Sequence, residues 1–397
     1  MSNCSKTIAA CRAHFHVLKE WAYFETASTG LIPDYVYDGV HRYMDGRYLF
    51  GGDSVWQYAD GNVCTLEMMQ RSKKALADMI HGSAEDIAFG QSSTQMFTMI
   101  TEGIDYATGE NVVTVRDGWI GGRYAWQKRQ AEGLEVRFVG AENGAVTPEM
   151  LIAECDENTR VVSVNLVEST TGYRIDIDKL GAWCSAHGVL LAVDAVQALG
   201  VLNVDVKRSN IDFLVGNDYK WMMNFCGTGY ACVKPKVRAM IKHWGAGWMS
   251  DTDRFDTAKA HLDLRSDAGR FEIGHQSTDG IYGLGLVADQ AVSLGQENIE
   301  NYVMELADYF RQRARETDGV QLSYEFPREN CSQIVSIRLE PKVRVSAADF
   351  QAAKVYTRVG AADAEGRREI RVGLHYYNNR GDIDRFFAVI NKNENKK

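Results

Sequence analysis

Six short, continuously apolar runs alternate with amphipathic stretches between residues 86 and 215, and this alternation narrows the possible folds more than any other feature of the chain. The runs are Asp86–Phe89, Asn111–Val115, Glu135–Val139, Val161–Leu166, Val189–Val193 and Asp212–Val215. Between them, Ser93–Ile104, Gly122–Glu132 and Ile177–His187 repeat their apolar residues at helical spacing. A strand that is apolar on both sides has to be covered on both faces. A helix between successive strands carries the chain back so that the strands run parallel. The pattern therefore predicts an α/β fold with a mostly parallel sheet covered by helices. Residues 34–48 and 64–80 read as helices ahead of it. Thr228–Val233 reads as one more strand, and its short preceding turn suits an antiparallel direction.

The pattern changes after residue 240. Residues 243–275 are rich in Gly, Trp, Asp and His without a period, which predicts irregular structure near a site. Gly280–Gln296 and Glu297–Thr317 read as helices. Ser332–Leu339, Ala347–Val355, Arg368–Leu374 and Ile383–Asn391 then read as strand, helix, strand and helix. The expected division is a large domain over 17–282 and a smaller α+β domain built from 1–16 and 283–397. A chain of 397 residues, 45% hydrophobic, is long enough for both.

Charge and cysteine usage exclude several classes. A net charge of −9 builds no basic surface for nucleic acid or for an anionic membrane. No run reaches the roughly 18 apolar residues of a membrane span, and the first residues lack the apolar core of a secretory leader. A cytoplasmic protein is expected. The eight cysteines are scattered with no CxxC pair, which argues against a disulfide framework. Cys226, Cys232 and His243 match no common zinc spacing, so no metal site is expected.

In an open α/β sheet, ligands bind beyond the carboxyl ends of the strands. There the sequence offers Ser92-Ser93-Thr94, Arg116-Asp117-Gly118-Trp119, Glu168-Ser169-Thr170, Asp194 with Gln197, and Asn217-Asp218-Tyr219-Lys220. An acid directly after a buried strand needs a cation or several donors. A lysine in a strand-end crevice has a depressed pKa and acts as nucleophile or Schiff-base former. Hydroxyls and free N–H groups at a helix start suit a phosphate. Taken singly, Asp194 and the Ser-Ser-Thr string read equally well as helix caps, and Lys220 as a surface residue. As an ordered set they match pyridoxal 5'-phosphate, with Lys220 forming the Schiff base, Asp194 pairing with the pyridinium nitrogen and Ser92-Ser93-Thr94 holding the phosphate.

Five blocks in order, spanning about Tyr23 to Phe387, resemble the class V aminotransferases, fold type I pyridoxal phosphate enzymes that include cysteine desulfurases, cystine C–S lyases, isopenicillin N epimerases and kynureninases. Tyr23–Gly30 is similar to the family's "Y-x-x-x-A-x-T" opening, which implies that Ala27 and Ser28 lie by the substrate carboxylate. Asp194-Ala195-Val196-Gln197 with Gly200 resembles "DxxQxxG", which places Gln197 at the ring hydroxyl. Asn217-Asp218-Tyr219-Lys220-Trp221 resembles the Schiff-base segment, with Asn217 and Tyr219 as cofactor contacts. Arg270–Gly274 resembles "RFExGT", and Arg371–Asn378 resembles "RxSxxxYN", whose arginine grips the α-carboxylate.

Departures from the family pattern bear on the reaction. Tyr219 stands where His is usual, and His275 stands where Thr is usual. The resemblance implies that this position reaches the cofactor phosphate of a neighbouring subunit, hence a homodimer with shared sites. Ring stacking falls to Trp119 or Asp117, and only Trp119 has a π-face. Ser169 or Thr170 replaces an asparagine at the ring oxygen. Residues 345–370 contain no cysteine and Cys331 comes too early, which disfavours a sulfur-relay desulfurase. Trp244, Trp248, His261 and Arg265 are candidates for shaping specificity, and Arg116, Arg123 and Arg174 for meeting an acidic substrate. The expected activity is a Cβ–S or related β-elimination on a small amino acid through an external aldimine and quinonoid, with Lys220 as the base. An aminotransferase or epimerase is the alternative. A kynureninase-type hydrolase or a non-catalytic protein of this fold ranks lower.

Overall fold

The computed structural model describes residues 3–51, 65–256 and 258–393. A two-residue strand, β1 (Ala22–Tyr23), follows the N-terminal helical turns. The central sheet then takes shape from β2 (Ile87–Gly90), β3 (Asn111–Val115), β4 (Glu135–Val139), β5 (Thr159–Asn165), β6 (Leu190–Asp194), β7 (Phe213–Asn217) and β8 (Gly229–Val233). Their spatial order is β2-β8-β7-β6-β5-β3-β4. The pairs among β7, β6, β5, β3 and β4 are parallel, whereas β8 runs antiparallel to both of its neighbours. Placing β8 between β7 and β2 brings the end of β2 and the residues leading into β8 to the same edge as the other strand ends.

Consecutive residues on each strand serve opposite faces. Val112, Val161, Leu190 and Phe213 pack with the helices Ser93–Glu102 and Ile120–Ala131. Val113, Val162, Leu191 and Leu214 join the larger core on the other side. This two-sided burial is why the runs are continuously apolar rather than alternating. The helices begin and end where local chemistry dictates. Ser92 caps Ser93–Glu102 by accepting the Gln95 N–H. Asp176 caps Ile177–His187 by accepting the Lys179 N–H, and Gly188, in the left-handed region at φ 72°, ends that helix.

The larger core continues into the C-terminal part of the chain. There β9 (Val320–Leu322), β10 (Ile334–Leu339) and β12 (Arg368–Gly373) form an antiparallel sheet in the order β12-β10-β9. The strand β11 (Val355–Tyr356) pairs in parallel with β1. The helix expected over Ala347–Val355 stops at Ala352, because Lys354 takes a left-handed φ of 56° and Val355 enters β11. Among the described residues, 243–275 hold only two 3₁₀ turns, Trp248–Ser250 and Ala268–Phe271, with an isolated bridge between Asp251 and Leu264. Among the described residues, no helix is long and apolar enough to cross a membrane, and no group of three His, Cys, Asp or Glu side chains is placed to hold a metal ion. Cys232 is buried in β8, whereas Cys226 is exposed.

Candidate active site

The strand ends deliver their side chains to one cavity of about 200 Å³. Ser92, Ser93 and Thr94 come from the turn after β2, and Trp119 from the loop after β3. Asn165, Val167 and Ser169 come from the end of β5. Asp194, Val196 and Gln197 follow β6, and Asn217, Asp218, Tyr219 and Lys220 follow β7. Gly227 and Thr228, leading into β8, complete the wall with Gln91.

Lys220 is 7% exposed. Its Nζ lies 5.1 Å from the Trp119 ring centre and 5.9 Å from that of Tyr219. Burial depresses its pKa; Asp194 opposes the shift and Arg371 adds to it. A fraction of neutral amine at physiological pH is what nucleophilic attack or proton abstraction requires. Asp194 opens onto the cavity and accepts the Val196 N–H at 2.9 Å. Burial raises its pKa despite that bond and the pull of Lys220. A carboxylate so placed calls for a cation in the cavity.

The N-terminal segment closes over the lysine loop. The Gly30 N–H donates to the Tyr219 carbonyl at 2.8 Å, and a Cβ on Gly30 would stand 1.9 Å from the Lys220 carbonyl oxygen. Gln197 donates through Nε2 to the Ala27 carbonyl at 3.1 Å and accepts from Trp221 Nε1 at 2.6 Å. Arg371 on β12 donates through Nη1 to the Ser169 carbonyl and through Nη2 to Ser28 Oγ, each at 2.8 Å. Beneath the loop, His375 is fully buried between Trp221 and Tyr377, its ring stacked on both. Its Nε2 donates to the Trp221 carbonyl and its Nδ1 accepts the Tyr376 N–H. Burial pushes its pKa down to about 4, so it is a neutral strut.

Of the residues singled out in the sequence, Ser92, Ser93, Thr94, Trp119, Ser169, Asp194, Gln197, Asn217, Tyr219 and Lys220 line the cavity. Ala27, Ser28 and Arg371 are hydrogen-bonded to those lining residues or to each other. His275 is not on the wall; its ring packs 5.2 Å from that of Trp248. Trp119 takes the cavity side of its loop, while Asp117 is held by Arg116 and the Ala141 N–H. Ser169 lines the cavity, but Thr170 turns its backbone to Glu168 and Ser336. The specificity candidates are engaged elsewhere: Trp244 donates to the Phe271 carbonyl, Arg265 pairs with Asp267 and His261 with Asp263. Arg116 and Arg174 pair with Asp117 and Glu300, and Arg123 donates to the Arg116 carbonyl. Asn165, Asp218 and Thr228 were not foreseen as wall residues. Only their positions at strand ends hinted at it.

The donor set fits pyridoxal phosphate. Asp194 lacks a full cationic partner that a pyridinium would supply, Trp119 offers a ring face, and the capped helix start at Ser92–Thr94 offers N–H groups and hydroxyls.

Residues 22–386 match the family model described as Aminotransferase class-V. A probable cysteine desulfurase of Methanothermobacter thermautotrophicus is 24% identical over 313 residues, 78% of this chain and 76% of the relative. Another from Pyrococcus abyssi is 22% identical over 401 residues, 96% of each chain. Among solved structures, C-DES with glycine covalently linked to its PLP cofactor superposes with a TM-score of 0.84 at 18% identity, covering 97% of this chain and 99% of that one. The cystine C–S lyase C-DES bound to its product cysteine persulfide gives 0.82 at 18%, covering 95% and 98%. At such identities the superpositions speak to the fold, while the family match covers nearly the whole chain. The chain belongs to the class V aminotransferases, a family of pyridoxal-phosphate-dependent enzymes with the type I fold.

Proposed function

We propose that this enzyme is a Cβ–S lyase acting on a small sulfur-bearing amino acid without a cysteine relay. The observation that supports the reading is a cavity lined by a buried lysine, with Arg371 bonded to its wall residue Ser169 and no cysteine on the wall among the described residues. Cys331 is buried, its Sγ is turned to the Phe326 carbonyl, and burial raises its pKa. Cys226 is exposed just ahead of Gly227, but its partial burial holds its thiol above the ordinary value, so it is no ready thiolate. Residues 345–370, which lead into β12, contain no cysteine.

In this reading Ser92, Ser93 and Thr94 hold the cofactor phosphate, Trp119 stacks on the ring, Asp194 pairs with the ring nitrogen, and Gln197, Asn217, Ser169 and Tyr219 contact its polar edge. When bound, the cofactor supplies an electron sink conjugated to the substrate Cα. Arg371 is already fixed by Ser169 and Ser28, and it takes the α-carboxylate with little reorganisation. Lys220, its pKa lowered, accepts the Cα proton. The sulfur substituent then leaves Cβ with the bonding electron pair, and hydrolysis of the remainder gives pyruvate and ammonia. Gly30 and His375 keep the lysine loop in register. The enzyme works as a homodimer in this reading, with His275 serving the phosphate of the second copy.

The test is incubation of the purified holoenzyme with cystine, cysteine and alanine, with and without an oxo-acid acceptor. Pyruvate, sulfur and new amino acid are scored together. Pyruvate and sulfur released in equal amounts without an acceptor support the proposal. Turnover only with an oxo acid, or sulfur accumulating on a protein cysteine, would overturn it.

A further inference from the structure

The cavity wall contains a second buried acid that the mechanism above leaves idle. Asp218 is 1% exposed and sits between Asn217 and Tyr219, two residues before the base. Its Oδ2 accepts the Thr228 N–H at 2.7 Å, and its carbonyl accepts the Asn224 N–H at 3.0 Å. These bonds tie it to the end of the cavity where the chain enters β8. Here the fit is close: a Cβ on Gly229 would stand 2.1 Å from the Ser92 carbonyl carbon and 2.4 Å from the Ser93 nitrogen. Asp218 therefore shares a wall with Ser92, Ser93 and Thr94, the hydroxyl and N–H donors assigned to the phosphate.

An ionised carboxylate in that wall would oppose a phosphate dianion in surroundings of low dielectric. No ion pair joins Asp218 to a cation among the described residues. The ionisable groups that sense its charge are Tyr219 on its own strand end, Cys226 on the following loop and Tyr230 on β8, and each of these can only become negative. Burial pushes the Asp218 pKa up to about 7 even with its hydrogen bonds in place. A neutral carboxyl resolves the conflict. It keeps accepting the Thr228 N–H with one oxygen and donates from the other.

We propose that Asp218 joins the phosphate cradle as a neutral acid, donating a hydrogen bond to the bound anion, so that loading the cofactor takes up one proton from solvent. The inference rests on the assignment of this cavity to pyridoxal phosphate and adds a residue and a proton to it. Its signature is a pH dependence that Asp218→Asn removes, because the amide is permanently uncharged and can still accept from Thr228 and donate. A carboxylate needed as an anion to order the Thr228 turn would behave in the opposite way, and the amide would weaken binding at every pH.

The probe is deoxypyridoxine 5'-phosphate, which keeps the ring and phosphate but has no aldehyde to react with Lys220. Its dissociation constant is measured by fluorescence with the cofactor-free wild type and the Asn variant, and unfolding curves verify that both are folded. The ratio of wild-type to variant Kd is expected to grow about tenfold from about pH 8 to about pH 9, the slope for one coupled proton. Calorimetry in two buffers of different ionisation heat supplies the second readout: wild type takes up close to one more proton per ligand than the variant at about pH 8. A ratio that stays flat, or equal proton uptake, overturns the role of Asp218 while leaving the cofactor assignment intact. Failure of both proteins to bind the probe and pyridoxal phosphate itself overturns the assignment and this inference together.

Discussion

Gly30→Ala tests whether the N-terminal segment sets the position of the base. The backbone at Gly30 is outside the left-handed region, so alanine is conformationally acceptable there and the obstacle is space alone. The added methyl would stand 1.9 Å from the Lys220 carbonyl oxygen and 3.0 Å from its carbonyl carbon. Both neighbours are backbone, so no rotamer change relieves the clash. Restoring van der Waals contact moves the two chains apart by at least about 1 Å. The same displacement strains the Gly30 N–H bond to the Tyr219 carbonyl. Overpacking of this kind costs about 1–3 kcal/mol of stability. A misplacement of about 1 Å at the reacting group lowers the rate by about 100-fold, or about 2.7 kcal/mol in the barrier. The assay is kcat for sulfur release at saturating substrate, alongside an unfolding curve for the holoenzyme. Gly122→Ala is the control, because its methyl meets only the Phe97 ring edge at 3.6 Å within a helix, where alanine stabilises by about 0.5–1 kcal/mol. A folded, cofactor-loaded Gly30→Ala enzyme with kcat within about twofold of wild type would refute the coupling between this segment and Lys220.

Other perturbations separate the parts of the site. The raised pKa of Asp194 means that its ionised form destabilises the cofactor-free fold, a penalty absent below the ordinary carboxyl range that builds as pH rises from there and is complete above its folded value; Asp194→Asn is therefore expected to raise the melting temperature of the cofactor-free protein at neutral pH while lowering that of the loaded one, as read by parallel thermal scans. Arg371→Lys removes a planar fork held by Ser169 and Ser28, and the loss of a charged bidentate contact of about 1.5–3 kcal/mol raises KM for the amino acid by about 10- to 150-fold in steady-state kinetics. Cys226→Ser and Cys331→Ser should each release sulfur at the wild-type rate, and a loss of more than about tenfold in either would point to a thiol relay.

The sheet was legible because its strands are buried on both faces. Asn111–Val115 and Glu135–Val139 begin and end where the apolar runs do, since nothing else in the local sequence competes. The strands β1, β9 and β11 left no signal, being two or three residues long, and β1 and β11 pair with each other from opposite ends of the chain. Lys220 and Asp194 were readable from their places after strands, an order that topology converts into one cavity. The anchoring of Arg371 was not readable, because Ser169 and Ser28 lie 202 and 343 residues away. Asp218 was hidden for a different reason. Its neighbours in sequence mark a cofactor segment, but nothing local shows that its carboxyl is buried and turned to the Thr228 N–H. Trp119 and Asp117 were separated by the Arg116 and Ala141 contacts that turn the acid away.

The central claim is that one amine, at position 220, holds the cofactor covalently in the resting enzyme. Borohydride reduction of the purified protein, followed by peptide mass mapping, tests it directly. The expected result is a single pyridoxyl group on the peptide carrying Lys220, absent from a folded Lys220→Ala variant. A stable pyridoxyl group on another lysine, or none in a protein saturated with pyridoxal phosphate, would contradict it.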